Sequence, residues 1–72
     1  MNKIKFYREK NSMTLRQLAE KSKVSFGHIS DLENGVRTNP SRETMIHIAE
    51  ALGCTVQAVF FPEDKEQEDI NG

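Results

Sequence analysis

The chain has 72 residues, of which 36% are hydrophobic and 29% charged, and its formal net charge is -1. This length predicts one domain with a small core, and this composition is typical of soluble globular proteins rather than of disordered or membrane proteins. No apolar run approaches the roughly 20 residues that cross a bilayer, and the N-terminal residues lack a signal-peptide core, so a cytoplasmic protein is expected.

The first predicted helix runs from about Lys3 to Lys10. Ile4 and Tyr7 lie one turn apart on its inward face, whereas its lysines face water. Arg8 lies beside Tyr7 on the inward side, where a charged side chain is usually kept only with an oppositely charged partner. We therefore expect a structural role for Arg8 rather than a contact with an external ligand.

The second predicted helix begins at Leu15. Thr14 precedes it as a candidate N-cap, and Gln17, three residues later, completes a capping box. Leu18 and Ala19 continue the apolar face that Leu15 starts. The small Ala19 allows the backbone of another helix to approach closely.

The third predicted helix follows after a short turn, with Ser25 as its N-cap and Asn34-Gly35 as its end. Ile29 and Leu32 form its inward face. Two short amphipathic helices joined by so tight a turn are typical of a helix-turn-helix. The outward face of this third helix is left for a partner outside the fold, and it consists of Phe26, Gly27, His28 and Asp31.

The second half of the chain predicts two more helices. Pro40 places residues 36–40 in a loop, because it excludes a helical conformation at the residue before it. A fourth helix then starts at Ser41 and ends at Gly53, and a fifth starts after Thr55 and ends before Pro62. No strand, repeat or second domain is predicted.

Charge is distributed unevenly along the chain. Residues 1–61 hold nine Lys or Arg against six Asp or Glu, a net charge of +3, whereas residues 62–72 hold one Lys against five acids, a net charge of -4. We therefore expect a basic domain over residues 1–61 and an acidic, disordered tail over residues 62–72. The tail either competes with phosphate for the basic domain or keeps a small protein soluble.

No residue pattern points to catalysis, a metal or a cofactor. Cys54 is the single cysteine, and His28 and His47 are isolated from each other and from other ligand types. No nucleophile, base and orienting group are spaced for an enzyme, and no glycine-rich phosphate loop occurs. Cys54 is expected to be a buried core thiol, with a redox switch as the alternative.

The ordered motifs resemble those of the phage repressor and Cro family, also called the xenobiotic-response-element family of bacterial regulators. The matching positions span residues 4–60, and they are Arg8, Leu18-Ala19, Val24-Ser25, Ile29-Ser30, Glu33-Asn34-Gly35, Pro40-Ser41 and Ala49-Glu50-Ala51-Leu52-Gly53. The resemblance implies an all-α, five-helix, lambda-repressor-like DNA-binding domain that works as a symmetric homodimer. It also implies a partly buried ion pair between Arg8 and Glu33.

Two positions depart from the family pattern. Lys23 stands in the turn where the family favours glycine, and a left-handed backbone there would cost about 1 to 2 kcal/mol. Leu15 stands where many members carry a glutamine that touches the DNA backbone. A phosphate contact at that place would then come from the backbone amides of the helix start.

The resemblance assigns base reading to the outward face of the third helix. Phe26 is suited to contact a thymine methyl, and the alternative is that it packs near Leu15. Gly27 allows a close backbone approach, and His28 faces a base edge or a phosphate. Asp31 either accepts a hydrogen bond from cytosine or orients a neighbouring side chain such as His28.

A second group of polar and basic residues is expected to contact the sugar-phosphate backbone. Such contacts set the register of the protein on DNA without reading sequence, and they make affinity depend on salt. The group consists of Thr14, Arg16, Lys23, Ser25, Ser30, Asn34, Arg37, Thr38 and Asn39.

The dimer interface is expected at the fifth helix, at Val59, Phe60 and Phe61. Val56 and Phe60, four residues apart, suit the core face, which leaves Val59 or Phe61 to point outward. An exposed apolar patch on a soluble protein usually marks an interface. Phe6 on the first helix is the next candidate.

The expected function is that of a small bacterial or phage-type transcriptional regulator, more often a repressor than an activator. It would bind a near-palindromic operator as a homodimer, with no cofactor. The alternative is a helix-turn-helix protein-interaction module, such as an antitoxin or antirepressor whose chief partner is a protein. The acidic tail and the few basic residues on the third helix favour this alternative slightly.

Overall fold

The computed structural model describes residues 2–63 of the chain. Between these residues the fold is all-α with five helices and no strand, as the sequence predicts. The helices are α1 (Ile4–Lys10), α2 (Leu15–Ser22), α3 (Phe26–Glu33), α4 (Arg42–Leu52) and α5 (Val56–Phe60). Only Pro62 and Glu63 of the predicted tail are described, and the rest of the tail lies outside the described residues.

Hydroxyl side chains start α2, α3, α4 and α5. Ser25, Ser41 and Thr55 each accept a hydrogen bond from the backbone N–H three residues later. At α2 the capping box is complete, since Thr14 Oγ1 accepts from Gln17 N at 3.0 Å and Gln17 Oε1 accepts from Thr14 N at 2.8 Å. Local sequence therefore determines where these four helices begin.

The core draws fully buried side chains from every helix. The largest are Ile4, Leu18, Ile29, Leu32, Ile48 and Val59. α4 packs against α2 and α5, α2 packs against α3, and α1 packs against α5. One apolar cluster thus holds α2 and α3 in place from the side opposite to their outward faces.

The structure contradicts the assignment of Val59 to the dimer interface. Val59 is fully buried, and its carbonyl accepts a hydrogen bond from the backbone N–H of Lys3 at 2.6 Å. The buried residues of α5 are Ala58 and Val59, and Val56 packs half-buried against the core beside them. Phe60 is half-buried against the core, so its interface role is limited to its exposed part, whereas Phe61 is exposed.

Two asparagines join distant parts of the chain. Asn2 Nδ2 donates to the carbonyl of Leu32 at 2.8 Å, at the end of α3. Asn11 Nδ2 donates to the carbonyl of Leu52 at 3.1 Å, at the end of α4. Each bond adds an acceptor contact at a helix C-terminus, where carbonyls lack the full set of intrahelical partners, and ties that end to a distant part of the chain.

The turn between α2 and α3 passes through a left-handed residue. Lys23 has φ +62° and ψ +26°, the conformation for which the family favours glycine. A residue with a Cβ is less stable there by about 1 to 2 kcal/mol. The chain therefore accepts local strain to keep the tight crossing of the two helices.

Candidate nucleic-acid interface

The two faces of α3 have different environments. Ile29 and Leu32 are buried in the core, whereas Phe26 and Gly27 are exposed and His28 is half-buried. A Cβ added at Gly27 would meet no atom within 4 Å. The first turn of α3 therefore presents an open outward surface.

Phe26 contacts the start of α2 through Arg16. The guanidinium carbon of Arg16 lies 4.6 Å from the centre of the Phe26 ring, within the range of a cation–π contact. Phe26 is nevertheless 42% exposed. This pair does not follow from the sequence, because the two residues lie on different helices and meet only through the angle at which those helices cross.

Four of the residues predicted to contact DNA border one shallow groove between α2 and α3. They are Arg16, Lys23, Ser25 and Phe26. Glu20 borders the same groove and partly offsets its two positive charges. The structure thus brings an aromatic base-reading candidate together with three backbone-contacting candidates.

The capping hydroxyls of α2 and α3 lie at exposed helix starts. Thr14 Oγ1 and Ser25 Oγ accept backbone N–H bonds, so each hydroxyl keeps its own proton as a donor. A phosphate oxygen accepts such a proton, and backbone amides at a helix start favour a phosphate as well. In the last turn of α3, Asn34 Nδ2 donates to Ser30 Oγ at 3.4 Å.

Asp31 and Arg37 form a loose, exposed ion pair. Arg37 Nε lies 4.0 Å from Asp31 Oδ2, and the two side chains are 60% and 43% exposed. The Asp31 carbonyl also accepts backbone N–H bonds from Val36 and Arg37 at 2.9 and 3.2 Å. The loop after α3 is therefore held against the helix by its backbone, while its charges stay in water.

Arg8 and Glu33 form a close pair with two parallel hydrogen bonds. Arg8 Nε donates to Glu33 Oε1 at 2.8 Å and Nη2 donates to Oε2 at 3.0 Å, while Nη1 donates to the carbonyl of Met13 at 2.9 Å. Only 14% and 8% of the two side chains are exposed. The hydrogen bond to Glu33 raises the pKa of Arg8 above its ordinary value, although burial acts in the opposite direction.

A second groove, of about 470 Å³, lies between the loop after α3 and the end of α5. The loop contributes four predicted backbone-contacting residues, and α5 and the residue after it contribute two predicted interface residues. They are Asn34, Arg37, Thr38, Asn39, Phe60 and Phe61. The structure thus places the predicted phosphate-contacting loop beside the predicted interface.

The remaining chemistry of the described residues is limited. Residues 2–63 contain no group of three His, Cys, Asp or Glu side chains that could hold a metal ion. Within the same range, no helix is long and apolar enough to span a bilayer. Cys54 is half-buried against the core, and His47 is exposed.

The sequence of this chain is similar to those of known proteins. A family described as helix-turn-helix matches residues 4–59. The chain is 33% identical over 69 residues to the transcriptional regulator SlrR of Bacillus subtilis, covering 96% of this chain and 45% of SlrR. It is 38% identical over 72 residues to the immunity repressor of Bacillus phage phi105, covering 96% of this chain and 49% of that repressor.

A solved structure has the same fold. The complex of the SinR and SinI proteins contains a chain that aligns with a TM-score of 0.80 and 28% identity, covering 94% of this chain and 70% of that one. This chain spans about half the length of SlrR and of the phage repressor. On these matches, the chain belongs to the Cro/C1-type helix-turn-helix family of DNA-binding transcriptional regulators, a family of non-enzymatic proteins.

Proposed function

We propose that this protein is a cytoplasmic repressor that binds a near-palindromic DNA operator as a homodimer. The observation that carries the proposal is the open first turn of α3, where Phe26 and Gly27 are exposed beside Arg16 and Lys23. A helix of this kind enters the major groove with its N-terminal residues against base edges. The name of one similar protein, the immunity repressor of phage phi105, favours repression over activation.

The outward face of α3 reads bases in this proposal. Phe26 contacts a thymine methyl, Gly27 lets the backbone approach, and His28 reaches a base edge or a phosphate. Asp31 accepts a hydrogen bond from cytosine N4 when Arg37 turns toward a phosphate, because their exposed pair at 4.0 Å is weak enough to separate.

The backbone contacts come from the chain before α3, from its second half and from the loop after it. Before α3 are Thr14, Arg16, Lys23 and Ser25, and from its second half onward are Ser30 and Asn34, with the loop residues Arg37, Thr38 and Asn39. They fix register and orientation, whereas α3 supplies the preference for sequence.

Selection of DNA fragments tests the proposed function. The full chain is immobilised, genomic fragments are captured, and the bound fraction is sequenced. The expected result is an enriched motif with two-fold symmetry and half-sites one helical turn apart, about 34 Å. If no motif is enriched over the input fragments, sequence-specific DNA binding is refuted.

The dimer interface is proposed at Phe61. Its side chain is 46% exposed, and it lines the same groove as the loop that follows α3. A two-fold axis through this place would bring the phosphate-contacting loops of two copies together and leave both α3 helices facing DNA. Phe6 is also exposed, but Lys3 and Lys10 lie 5.3 and 5.8 Å from its ring. An interface there would gather four lysines around the axis.

Replacing one exposed phenylalanine at a time tests the interface. Phe61→Asp should give a folded monomer that binds the selected operator far more weakly, because only one half-site is held at a time. Phe6→Asp is the matched control and should stay dimeric. Sedimentation at micromolar concentration and gel shift measure both. A Phe61→Asp protein that remains dimeric refutes this interface, and a monomeric Phe6→Asp protein would move it to α1.

A protein partner is the second candidate function. The supporting observation is that the similar solved structure is a complex of SinR with the SinI protein. The exposed Phe61 beside a groove of about 470 Å³ would suit an apolar side chain of such a partner. The two functions separate in the fragment selection, because a protein-interaction module without DNA specificity would enrich no symmetric motif.

A further inference from the structure

The contact between Arg16 and Phe26 joins two helices that are usually assigned different tasks on DNA. Arg16 lies in the first turn of α2, where its charge suits a phosphate, and Phe26 is the first residue of α3, where an apolar ring suits a base. The guanidinium carbon lies 4.6 Å from the ring centre. The two side chains are therefore in contact with each other on the outward surface.

The contact with Arg16 restricts where the ring of Phe26 can point. A planar guanidinium can cover more of an aromatic ring than the compact ammonium of a lysine. A ring that is 42% exposed would otherwise move between rotamers in water. The Arg16 contact covers part of the ring and leaves the remainder outside the fold.

The residue after Phe26 adds no side chain to this surface. It is Gly27, and a Cβ placed there would meet nothing within 4 Å apart from its chain neighbours and its own helix. The edge of a base pair can therefore approach this turn without meeting a side chain at position 27. In the major groove, the apolar group that a base pair offers is the C5 methyl of thymine.

We propose that Arg16 is a positioning residue for sequence reading: it holds the Phe26 ring against one thymine methyl in each half-site. The inference rests on the proposed function and adds to it that a residue of α2 controls what α3 reads. Loss of Arg16 should then change sequence preference as well as general affinity.

The test uses the full chain and a duplex selected from random double-stranded DNA. Each thymine of the selected site is replaced in turn by deoxyuridine, which lacks only the C5 methyl. Wild-type protein should lose about fourfold in affinity at one thymine per half-site, the change expected for one buried group of methylene size. It should lose little at the other thymines.

Three variants separate positioning from charge. Arg16→Lys keeps the positive charge but removes the planar guanidinium, so its salt dependence should match wild type while its preference for thymine over deoxyuridine falls below about twofold. Phe26→Leu should lose the same preference. Lys21→Ala removes an exposed charge of α2 that does not border the Phe26 groove, and it should keep the fourfold preference.

Circular dichroism of each variant should show the wild-type helix content, since these side chains are exposed. If Arg16→Lys keeps the full thymine preference, or if no deoxyuridine replacement weakens wild-type binding, the positioning role is refuted while DNA binding stands. If the chain selects no duplex at all, the proposed function fails, and the positioning role fails with it.

Discussion

Two arginine–acid pairs lie on either side of the second half of α3, and they differ in almost every physical respect. Arg8 and Glu33 meet through two hydrogen bonds of 2.8 and 3.0 Å with 14% and 8% of their side chains exposed. Arg37 and Asp31 approach only to 4.0 Å, with 60% and 43% exposed. An arginine and an acid therefore form a close, shielded contact in one place and a loose, solvent-exposed one in the other.

Burial explains the difference. Removing one partner of a buried pair leaves the other charge without water or counter-charge, whereas an exposed pair is replaced by water at little loss. Arg8 also donates a third hydrogen bond to the carbonyl of Met13, which holds the segment between α1 and α2 in place. The Arg37 side chain makes only the loose contact with Asp31 and stays mostly in water.

The largest effect is expected from breaking the buried pair. Arg8→Ala or Glu33→Ala should lower the free energy of unfolding by about 3 kcal/mol, because an uncompensated charge remains in a poorly hydrated place. The double variant should lose less than the sum of the two single losses. Urea denaturation followed by circular dichroism measures all three. Lys5→Ala, an exposed change on the same helix, is the control and should stay within about 0.5 kcal/mol of wild type.

This prediction has a clear contrary result. Strictly additive losses in the double-mutant cycle would show that the two side chains do not interact.

The raised pKa of Arg8 fixes how its contribution to stability depends on pH. This contribution is complete at every pH below the ordinary pKa of arginine, and it is lost only as the pH rises through the higher pKa that Arg8 has in the folded protein. Arg8 therefore introduces no loss of stability near neutral pH.

The next effect concerns DNA rather than stability. Arg37→Ala should weaken binding to selected and unrelated duplexes alike, and should reduce the slope of log affinity against log salt by about 1 per subunit. Its free energy of unfolding should change by less than about 0.5 kcal/mol. His28→Ala is the comparison variant, and it should mainly flatten the preference among sequences. A change of sequence preference alone in Arg37→Ala would contradict the assignment of Arg37 to backbone contacts.

The smallest effect is expected at Asp31. Asp31→Asn removes the carboxylate charge while keeping the side-chain size, so stability should stay within about 0.5 kcal/mol of wild type. Affinity for unrelated duplexes should rise modestly, because a negative charge near phosphates is lost and Arg37 is released. Fluorescence anisotropy with a random duplex measures this change. A loss of several kcal/mol in stability would show that the exposed pair is as structural as the buried one.

Local chemistry made most of the fold predictable. The capping box of Thr14 and Gln17 and the apolar spacing from Leu18 to Leu32 depend on neighbours in sequence, so one sequence suffices to identify them. At Val59, neighbours in sequence were not enough to predict which side chain is buried. A helix of five residues offers spacings of three and four equally, and only packing against α1 and the core decides which side is buried.

The candidate site was predictable in composition but not in geometry. Helical periodicity identifies Ile29 and Leu32 as the inward residues of α3, and the remaining residues then form its outward face. The contact of Arg16 with the Phe26 ring depends on the crossing of two helices, and the hydrogen bonds of Asn2 and Asn11 join residues 30 and 41 positions apart. No local pattern carries such information. The roles of these residues on DNA stay predictions.

Salt dependence tests the central claim, that the exposed charges around α3 bind DNA phosphates, more directly than any single variant. The affinity of the full chain for its selected duplex is measured between 50 and 200 mM salt. Several phosphate contacts from each of two subunits predict a fall of about a thousandfold or more over this range. An affinity that hardly changes would contradict the account, because binding would then not release counterions from the DNA backbone.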